Sequence, residues 1–473
     1  MATNMDTHTT EKIEERTIER APEDRSESPG EVTASYARAK PSNRPVYIPI
    51  KTKFVIATGA AAVWFSVSLY LALPWLEDLS RVVGAVPAIL IILSIALIPG
   101  FLNAHILTSI VLDKPPPLRL DITYPPLSLL IAAYNEADNI AETLRGISMQ
   151  DYPGKIEVVV VDDGSSDRTV EVLASLKMPN LKIVKAKHGG KAHALNEGLD
   201  HVRHEIVVTI DADTFLHPQA LKRIVARMLT DPPHTAAVAG CVLVKNSRET
   251  FMARLQEWDY FTGIASAKRQ QSLYQGTLVA QGAFSAFRTD AVRRTKGWPS
   301  VIGEDIVLTW ALLQEGWRIG FEASAVGFTR APTDFKGFFR QRKRWARGMI
   351  EALKRHGALL WRRSRLASFF IGVDFVIPLI DIFYTFAFLP GLALALTGRF
   401  YIAGPMTLLV FPIAFFIVSV MYHKQKQVFD SLNLTVRSNP WGLVVYMLIY
   451  QAIMSPICVV GYVQEILGAV KKW

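Results

Sequence analysis

The sequence predicts an α/β protein, a mostly parallel sheet with helices on both faces, embedded between transmembrane helices. Three observations carry that expectation. Between residues 127 and 288, short β-branched runs alternate with amphipathic helical stretches. Long apolar runs with almost no formal charge lie on either side of this region. The stretch Glu205-Ile-Val-Val-Thr-Ile-Asp-Ala-Asp213 reads as a buried strand ending abruptly in two carboxylates, a strand that delivers acid to the edge of a sheet.

Composition narrows the class. At 473 residues and 50% hydrophobic, the chain can hold two or three structural units, with membrane segments as well as a sizeable core. The net charge of +10 is concentrated beside apolar runs, as on a protein seated against an anionic membrane leaflet, and nucleic acid is not expected as a partner. Cys241 and Cys458 are far apart and both lie in apolar segments, which excludes a disulfide framework and a cysteine metal site and fits a reducing cytosol. The first apolar stretch begins about fifty residues in and is long enough to span, so no secretory signal peptide is expected.

In chain order, residues 1–50 are polar and aperiodic and are expected to form a disordered tail. Within 51–112, the runs Phe54 to Leu76 and Val82 to Leu112 form a transmembrane hairpin. Lys51, Lys53, Lys114 and Arg119 flank it on one side, so the N-terminus and everything after Leu112 are expected in the cytosol. A proline-rich linker opens a cytosolic domain at 113–332. Its strands are expected at Leu127 to Ala133, Ile156 to Val161, Leu181 to Ala186, Ile206 to Ile210, Ala236 to Val244 and Phe284 to Arg288. Helices are expected at Asp138 to Met149, Asp167 to Leu176, Lys191 to Val202 and Pro218 to Leu229. Residues 333–365 turn basic and aromatic, with Phe338, Trp345, Met349 and Ala352 on one helical face, an amphipathic helix at the membrane surface. Apolar regions at about 366–398, 402–422 and 442–466 fill the C-terminal membrane part, 366–473, and bring the spans to five. The first of them contains Pro378 and Pro390 and is expected to divide into an interfacial segment and a kinked helix. With Lys424 and Lys426 in the cytosol the last helix exits outward, leaving Lys471 and Lys472 on the disfavoured side.

Ligands of such sheets bind beyond the carboxyl ends of the strands, and the reactive side chains cluster there. Tyr134-Asn135-Glu136 and Asp162-Asp163-Gly164 are strand-to-helix turns; in the second, a carboxylate can accept from a pyrimidine imide or a ribose hydroxyl, and the alternative is ordinary helix capping. His188-Gly189-Gly190-Lys191 offers a flexible loop whose cation could neutralise a diphosphate; without Walker A spacing it does not indicate a P-loop hydrolase. His193, His201 and His204 have no metal-ligand spacing and read as surface or helix-face histidines. As alternate residues of an extended chain, Asp211 and Asp213 can converge on one hard cation such as Mg²⁺, with strand-end capping the other reading. Glu304 and Asp305 precede an apolar helical pattern, with Asp305 a candidate general base or a capping residue. Gln341, Arg344 and Trp345 share a helical face, where Arg344 could clamp a leaving phosphate and Trp345 could stack on a sugar.

In this order, Asp162-Asp163, Asp211-x-Asp213, Gly303-Glu304-Asp305 and Gln341-x-x-Arg344-Trp345 resemble the D, DxD, ED, QxxRW signature of processive family-2 glycosyltransferases, which include cellulose, chitin, hyaluronan and poly-N-acetylglucosamine synthases. The likeness covers roughly residues 54–466, and the hairpin start together with Phe335 to Gly348 most resembles the bacterial poly-N-acetylglucosamine and related exopolysaccharide synthases. The resemblance implies a GT-A-type nucleotide-sugar domain. It implies that Tyr134, Asn135, Glu136, Asp162 or Asp163, and Lys191 hold uridine diphosphate, that Asp211 and Asp213 bind Mg²⁺ or Mn²⁺, and that Asp305 is the base. Glu304, Gln341, Arg344 and Trp345 would meet the diphosphate and acceptor, and Gln281-Gly282-Ala283 stands at the acceptor-contacting segment. Its wording differs from the Phe-Cys-Gly-Ser of cellulose synthases and argues against cellulose. The implied activity is inverting polymerisation of UDP-N-acetylglucosamine or UDP-glucose into a β-linked exopolysaccharide at the bacterial cytoplasmic membrane. The partners are the UDP-sugar, the growing polysaccharide and membrane lipids, and an accessory membrane protein is compatible with that arrangement. Two rivals make different demands: transfer of one sugar to a lipid phosphate would release short lipid-linked products, and a non-catalytic sensor would lack the acids.

Overall fold

The computed structural model describes residues 48–115, 117–274, 276–361 and 366–469. The expected disordered tail up to Tyr47, and Lys471 with Lys472, lie outside them. The strands are β1 (Leu127–Ala133), β2 (Ile156–Asp162), β3 (Leu181–Lys185), β4 (Ile206–Ile210), β5 (Phe215–Leu216), β6 (Thr235–Val244), β7 (Phe284–Arg288) and β8 (Arg318–Thr329). They form one sheet in the order β3-β2-β1-β4-β7-β6-β8-β5. The half from β3 to β4 is parallel, as expected. The far half is mixed, because β7 enters antiparallel between β4 and β6, and β5 runs antiparallel to β8.

Residue alternation divides the core into two layers. Leu127, Leu129 and Ile131 of β1, Val158 and Val160 of β2, and Ile206, Val208 and Ile210 of β4 point to one face, where helices Ile140–Ser148 and Ala220–Thr230 bring Leu144, Ile147, Leu221 and Ile224 onto them. Leu130, Val159, Val161 and Val207 point to the other, under helices Lys191–Leu199 and Glu304–Gln314 with Leu195, Leu308, Trp310 and Leu312. Both faces being covered explains why β1, β2 and β4 are near-continuous apolar runs. A third cluster packs Ala239, Cys241, Phe321 and Val326 of β6 and β8 against Ile110, Ile417 and Met421, tying the sheet to membrane helices.

Among the described residues, five helices are long and apolar enough to cross a membrane: Ile50–Val83, Ala85–Leu112, Ala367–Ala395, Thr407–Ser431 and Pro440–Ile466. The third does not divide into an interfacial segment and a kinked helix as expected. It continues through a π-helical turn, Tyr384–Phe388, and Pro390 falls in the first turn after it, where a missing N–H is tolerated. The basic, aromatic stretch is helical over Phe335–His356. Its apolar face does not lie in lipid as expected for an interfacial helix. Ala346 and Ile350 pack on Cys458, Val459 and Tyr462 of the last span, and Phe338 packs on Tyr450 and Ile457. Arg347 seals this contact with a buried ion pair to Glu465 at 2.8 Å.

Candidate active site

The antiparallel entry of β7 builds the centre of the site. Because Phe284 pairs with Ile210, the residues leading into β7 lie beside those leaving β4. The Asp211 N–H donates to the Ala283 carbonyl at 3.3 Å, and Gly282 is next to Asp211. The two acids do not converge by strand alternation, as the sequence reading supposed. β4 ends at Ile210, and Asp211 to Thr214 form a turn closed by the Thr214 N–H on the Asp211 carbonyl at 3.0 Å. The turn is held from outside, since Thr143 Oγ1 donates to the Ala212 carbonyl at 2.7 Å and Thr329 Oγ1, at the end of β8, donates to Asp213 Oδ1 at 3.0 Å.

Lys191, at the start of its helix, forms an ion pair with Asp211 and lies 3.8 Å from Glu304 Oε1. Burial alone would lower its pKa, but Asp211, Glu304 and Asp305 outweigh it and push the ammonium upward, so the lysine stays charged. Gly282 makes room for it: a Cβ there would lie 2.7 Å from Lys191 Nζ. The acids shift the other way. Burial first, then Asp211, raises the Asp213 carboxyl, and burial with Asp213 and Asp211 raises Glu136 against a hydrogen bond from Asn139. Among the described residues no group of three or more His, Cys, Asp or Glu could by itself hold a metal ion. Asp211 and Asp213, two carboxylates on one turn, nevertheless fit a hard divalent cation, which needs only one or two oxygen ligands from the protein when substrate phosphates and water complete the shell.

The turns after β1 and β2 are laced together. Asn135, in the left-handed region at φ 55°, accepts from the Ser166 N–H at 2.8 Å, and its own N–H donates to Ser165 Oγ at 2.9 Å. The Asp163 carboxylate is taken up by the Gly189 and Gly190 N–H groups at 2.9 and 2.8 Å and by His188 at 2.9 Å. Among the described residues the Asp162 side chain meets only the Ser165 N–H, at 3.3 Å, so of the two it is the one with accepting capacity to spare. Tyr134 is 45% exposed, with His188 stacked on it at 4.4 Å. The sequence reading missed this role of His188, although its loop was singled out.

On the other side, Gly303 takes a left-handed φ of 76° and starts the helix that carries Glu304 and Asp305. Gly303 also lies against Gly348 of the Phe335–His356 helix so closely that a Cβ on it would come within 2.7 Å of the Gly348 Cα. That crossing brings the Gln341 to Trp345 segment to the acids. Asp305 accepts from the Ile306 N–H at 2.8 Å and from the Gly282 N–H at 3.3 Å. Glu304 is raised, by burial first and also by Asp305, with Lys191 and Arg344 opposing the shift. Arg344, close enough to act on Glu304, is exposed, as is Trp345, whose ring lies 6.0 Å from that of Tyr260, and Gln341 lies beside Tyr260 as well. Gln281 is the exception to the expected cluster. Its amide turns inward and donates to the Gly240 carbonyl at 2.5 Å, so it anchors the loop from beneath and leaves Gly282 facing the site. Thr329 was missed because the sequence reading did not find β8.

Comparison with known proteins agrees with this architecture. Residues 125–348 match the model described as glycosyltransferase like family 2. The poly-beta-1,6-N-acetyl-D-glucosamine synthase of Staphylococcus aureus strain MSSA476 is 29% identical over 281 residues, which are 59% of this chain and 67% of the relative. The synthase of the same name from Staphylococcus epidermidis is 32% identical over 232 residues, 48% of this chain and 56% of the relative. Among solved structures, a mannosyltransferase from Pyrobaculum calidifontis, in complex with GDP-Man and Mn²⁺, superposes with a TM-score of 0.51 at 19% identity, over 89% of this chain and all of that one, a likeness of fold. Residues 125–348 of the chain thus carry a glycosyltransferase-like family 2 domain.

Proposed function

We propose that the protein polymerises a UDP-sugar, with UDP-N-acetylglucosamine the first candidate, into a β-linked polysaccharide, inverting the donor's anomeric configuration. The observation that carries this reading is the meeting of Lys191, Asp211, Asp213, Gly282, Glu304 and Asp305 at one strand edge, below Arg344 and Trp345. The names of the staphylococcal relatives support the sugar and the polymer. Tyr134 and Asp162 take the uracil, one by stacking and one by accepting the imide N–H. Asp211 and Asp213 hold Mg²⁺ or Mn²⁺, and such an ion, when bound, supplies positive charge to the departing diphosphate. Lys191 and Arg344 bring cations to the same leaving group, where charge develops as the glycosidic bond breaks. Asp305, fixed by two backbone N–H groups, receives the proton of the acceptor hydroxyl as that oxygen attacks. Trp345 stacks on the acceptor sugar. The catalytic domain is on the cytosolic side of a bacterial inner membrane, with the five spans supporting export of the chain.

The test is a panel of UDP-sugars offered to the purified protein in lipid nanodiscs, with UDP release and linkage-specific enzymatic digestion of the product as readouts. Divalent-dependent UDP release with a long product digestible by a β-N-acetylglucosaminidase is expected. Short lipid-linked products would replace the polymerase with a single-sugar transferase.

A further inference from the structure

The Phe335–His356 helix carries an arginine that the transfer chemistry leaves unexplained. Arg342 is only 1% exposed, and its one ion pair runs from Nη1 to Asp259 Oδ2 at 2.7 Å. Its Nε and Nη2 have no hydrogen-bond partner among the described residues. Burying a guanidinium is costly, and one carboxylate does not satisfy its five donors. Aromatic faces complete the environment. The Arg342 Cζ lies 4.1 Å from the centroid of Trp345, 5.2 Å from Phe338 and 5.7 Å from Tyr260. A planar, weakly hydrated cation is suited to such stacking, and the closest of the three rings is the one left 39% exposed. Tyr260 adds a second support, its ring 6.0 Å from Trp345 at 50°.

Asp259 belongs to neither the Trp345 helix nor the membrane spans. It lies on helix Phe251–Tyr260, which follows β6 in the sheet domain. The Asp259 to Arg342 pair therefore fastens the underside of Trp345 to the sheet domain that also carries Asp305. We propose that Arg342, anchored by Asp259, is a positioning residue that clamps the Trp345 indole as the platform for the acceptor sugar. The proposal rests on the reading of Trp345 as the acceptor contact. A freely rotating tryptophan would have to lose that freedom each time an acceptor bound, whereas a clamped ring has lost it beforehand.

The experiment compares Arg342→Lys, Trp345→Ala and their combination in the full-length protein in nanodiscs. Lysine keeps the charge and the partner but loses the planar stack. The acceptor half-saturation is measured with a short oligosaccharide of the enzyme's own product at saturating donor, alongside UDP affinity and melting temperature. Arg342→Lys is expected to raise the acceptor half-saturation about 2- to 30-fold, with UDP affinity unchanged. In the Trp345→Ala background it is expected to add nothing, since both changes remove one device. Asp259→Asn provides a second variant with the same expected pattern should Arg342→Lys fail to accumulate. An unchanged half-saturation in Arg342→Lys or Asp259→Asn, or an effect that multiplies with Trp345→Ala, overturns the clamp while leaving Trp345 as the acceptor contact. An acceptor half-saturation unmoved by Trp345→Ala overturns that contact, and the clamp with it.

Discussion

β1, β2 and β4 run parallel and end in acidic turns facing Lys191, whereas β7, β6 and β8 form a mixed half that reaches the same centre by a loop and a strand end. Asn135, Asp163 and Thr143 lace the turns of the parallel half to one another, and Thr329 and Ala283 support its Asp211 to Thr214 turn from within the sheet domain. The far half depends on the membrane helices. Gly282 N–H meets Asp305, Asp305 sits on a helix wedged against Gly348, and Gly348 belongs to a helix packed on the last span. In the proposed reaction the first half binds the donor and the second presents the acceptor.

The sharpest way to break this division is Asp305→Asn, which affects the step joining the halves. Loss of a general base is expected to lower turnover by a factor of about 10² to 10⁴, with UDP affinity by calorimetry little changed. Were Asp305 only a helix cap, asparagine would serve equally well and turnover would stay near normal. Asp213→Ala attacks the donor half. Its divalent-dependent UDP affinity is expected to fall by at least about 10- to 100-fold while the protein still inserts and melts normally, and metal-independent, undiminished turnover would remove the metal from the account. Gly303→Ala attacks the acceptor half through packing. With φ at 76° and the Gly348 backbone in the way of a Cβ, it is expected to cost about 1–3 kcal/mol in melting experiments, and Gly303→Asn should not rescue it, since the crowding remains even where the backbone conformation is tolerated.

A further effect concerns pH. Lys268 is buried, donates to the Val279 carbonyl at 2.9 Å below the Gly282 loop, and is lowered to about 7 by burial despite the pull of Asp305. Between about 7 and its ordinary 10.5 the unfolded chain holds a proton there that the folded chain does not. Stability therefore rises with pH across that window, by up to about 1.4 kcal/mol per unit from this group. Lys268→Met should flatten that part of a melting-temperature profile, and an unaltered slope would show that the lysine is charged in the fold.

The same contrast explains what could be read from the chain. β1, β4 and β7 have the expected bounds, helped by Pro126 before β1 and by Glu205 and Asp211 on either side of β4. β8 escaped notice: Gly320, Glu322, Ser324 and Gly327 interrupt it, and its pairing with β6 shifts register between Gly240 and Cys241. Glu322 reads as a loop residue until its buried partner, Arg227 at 2.7 Å, is known. With β8 went Thr329, the support of Asp213. The acids of the site were visible as motifs, while their convergence depended on the antiparallel entry of β7, which no local pattern encodes. Likewise the amphipathic face of Phe335–His356 was visible, and its covering by Cys458, Val459 and Tyr462 instead of lipid was not.

The proposed reaction is a single displacement between donor and acceptor halves, assisted by Asp305. The most direct test is the anomeric configuration of the first bond formed from an α-linked UDP-sugar, read by NMR at the new anomeric centre. A β-linked product is the predicted result, and an α-linked product would contradict it.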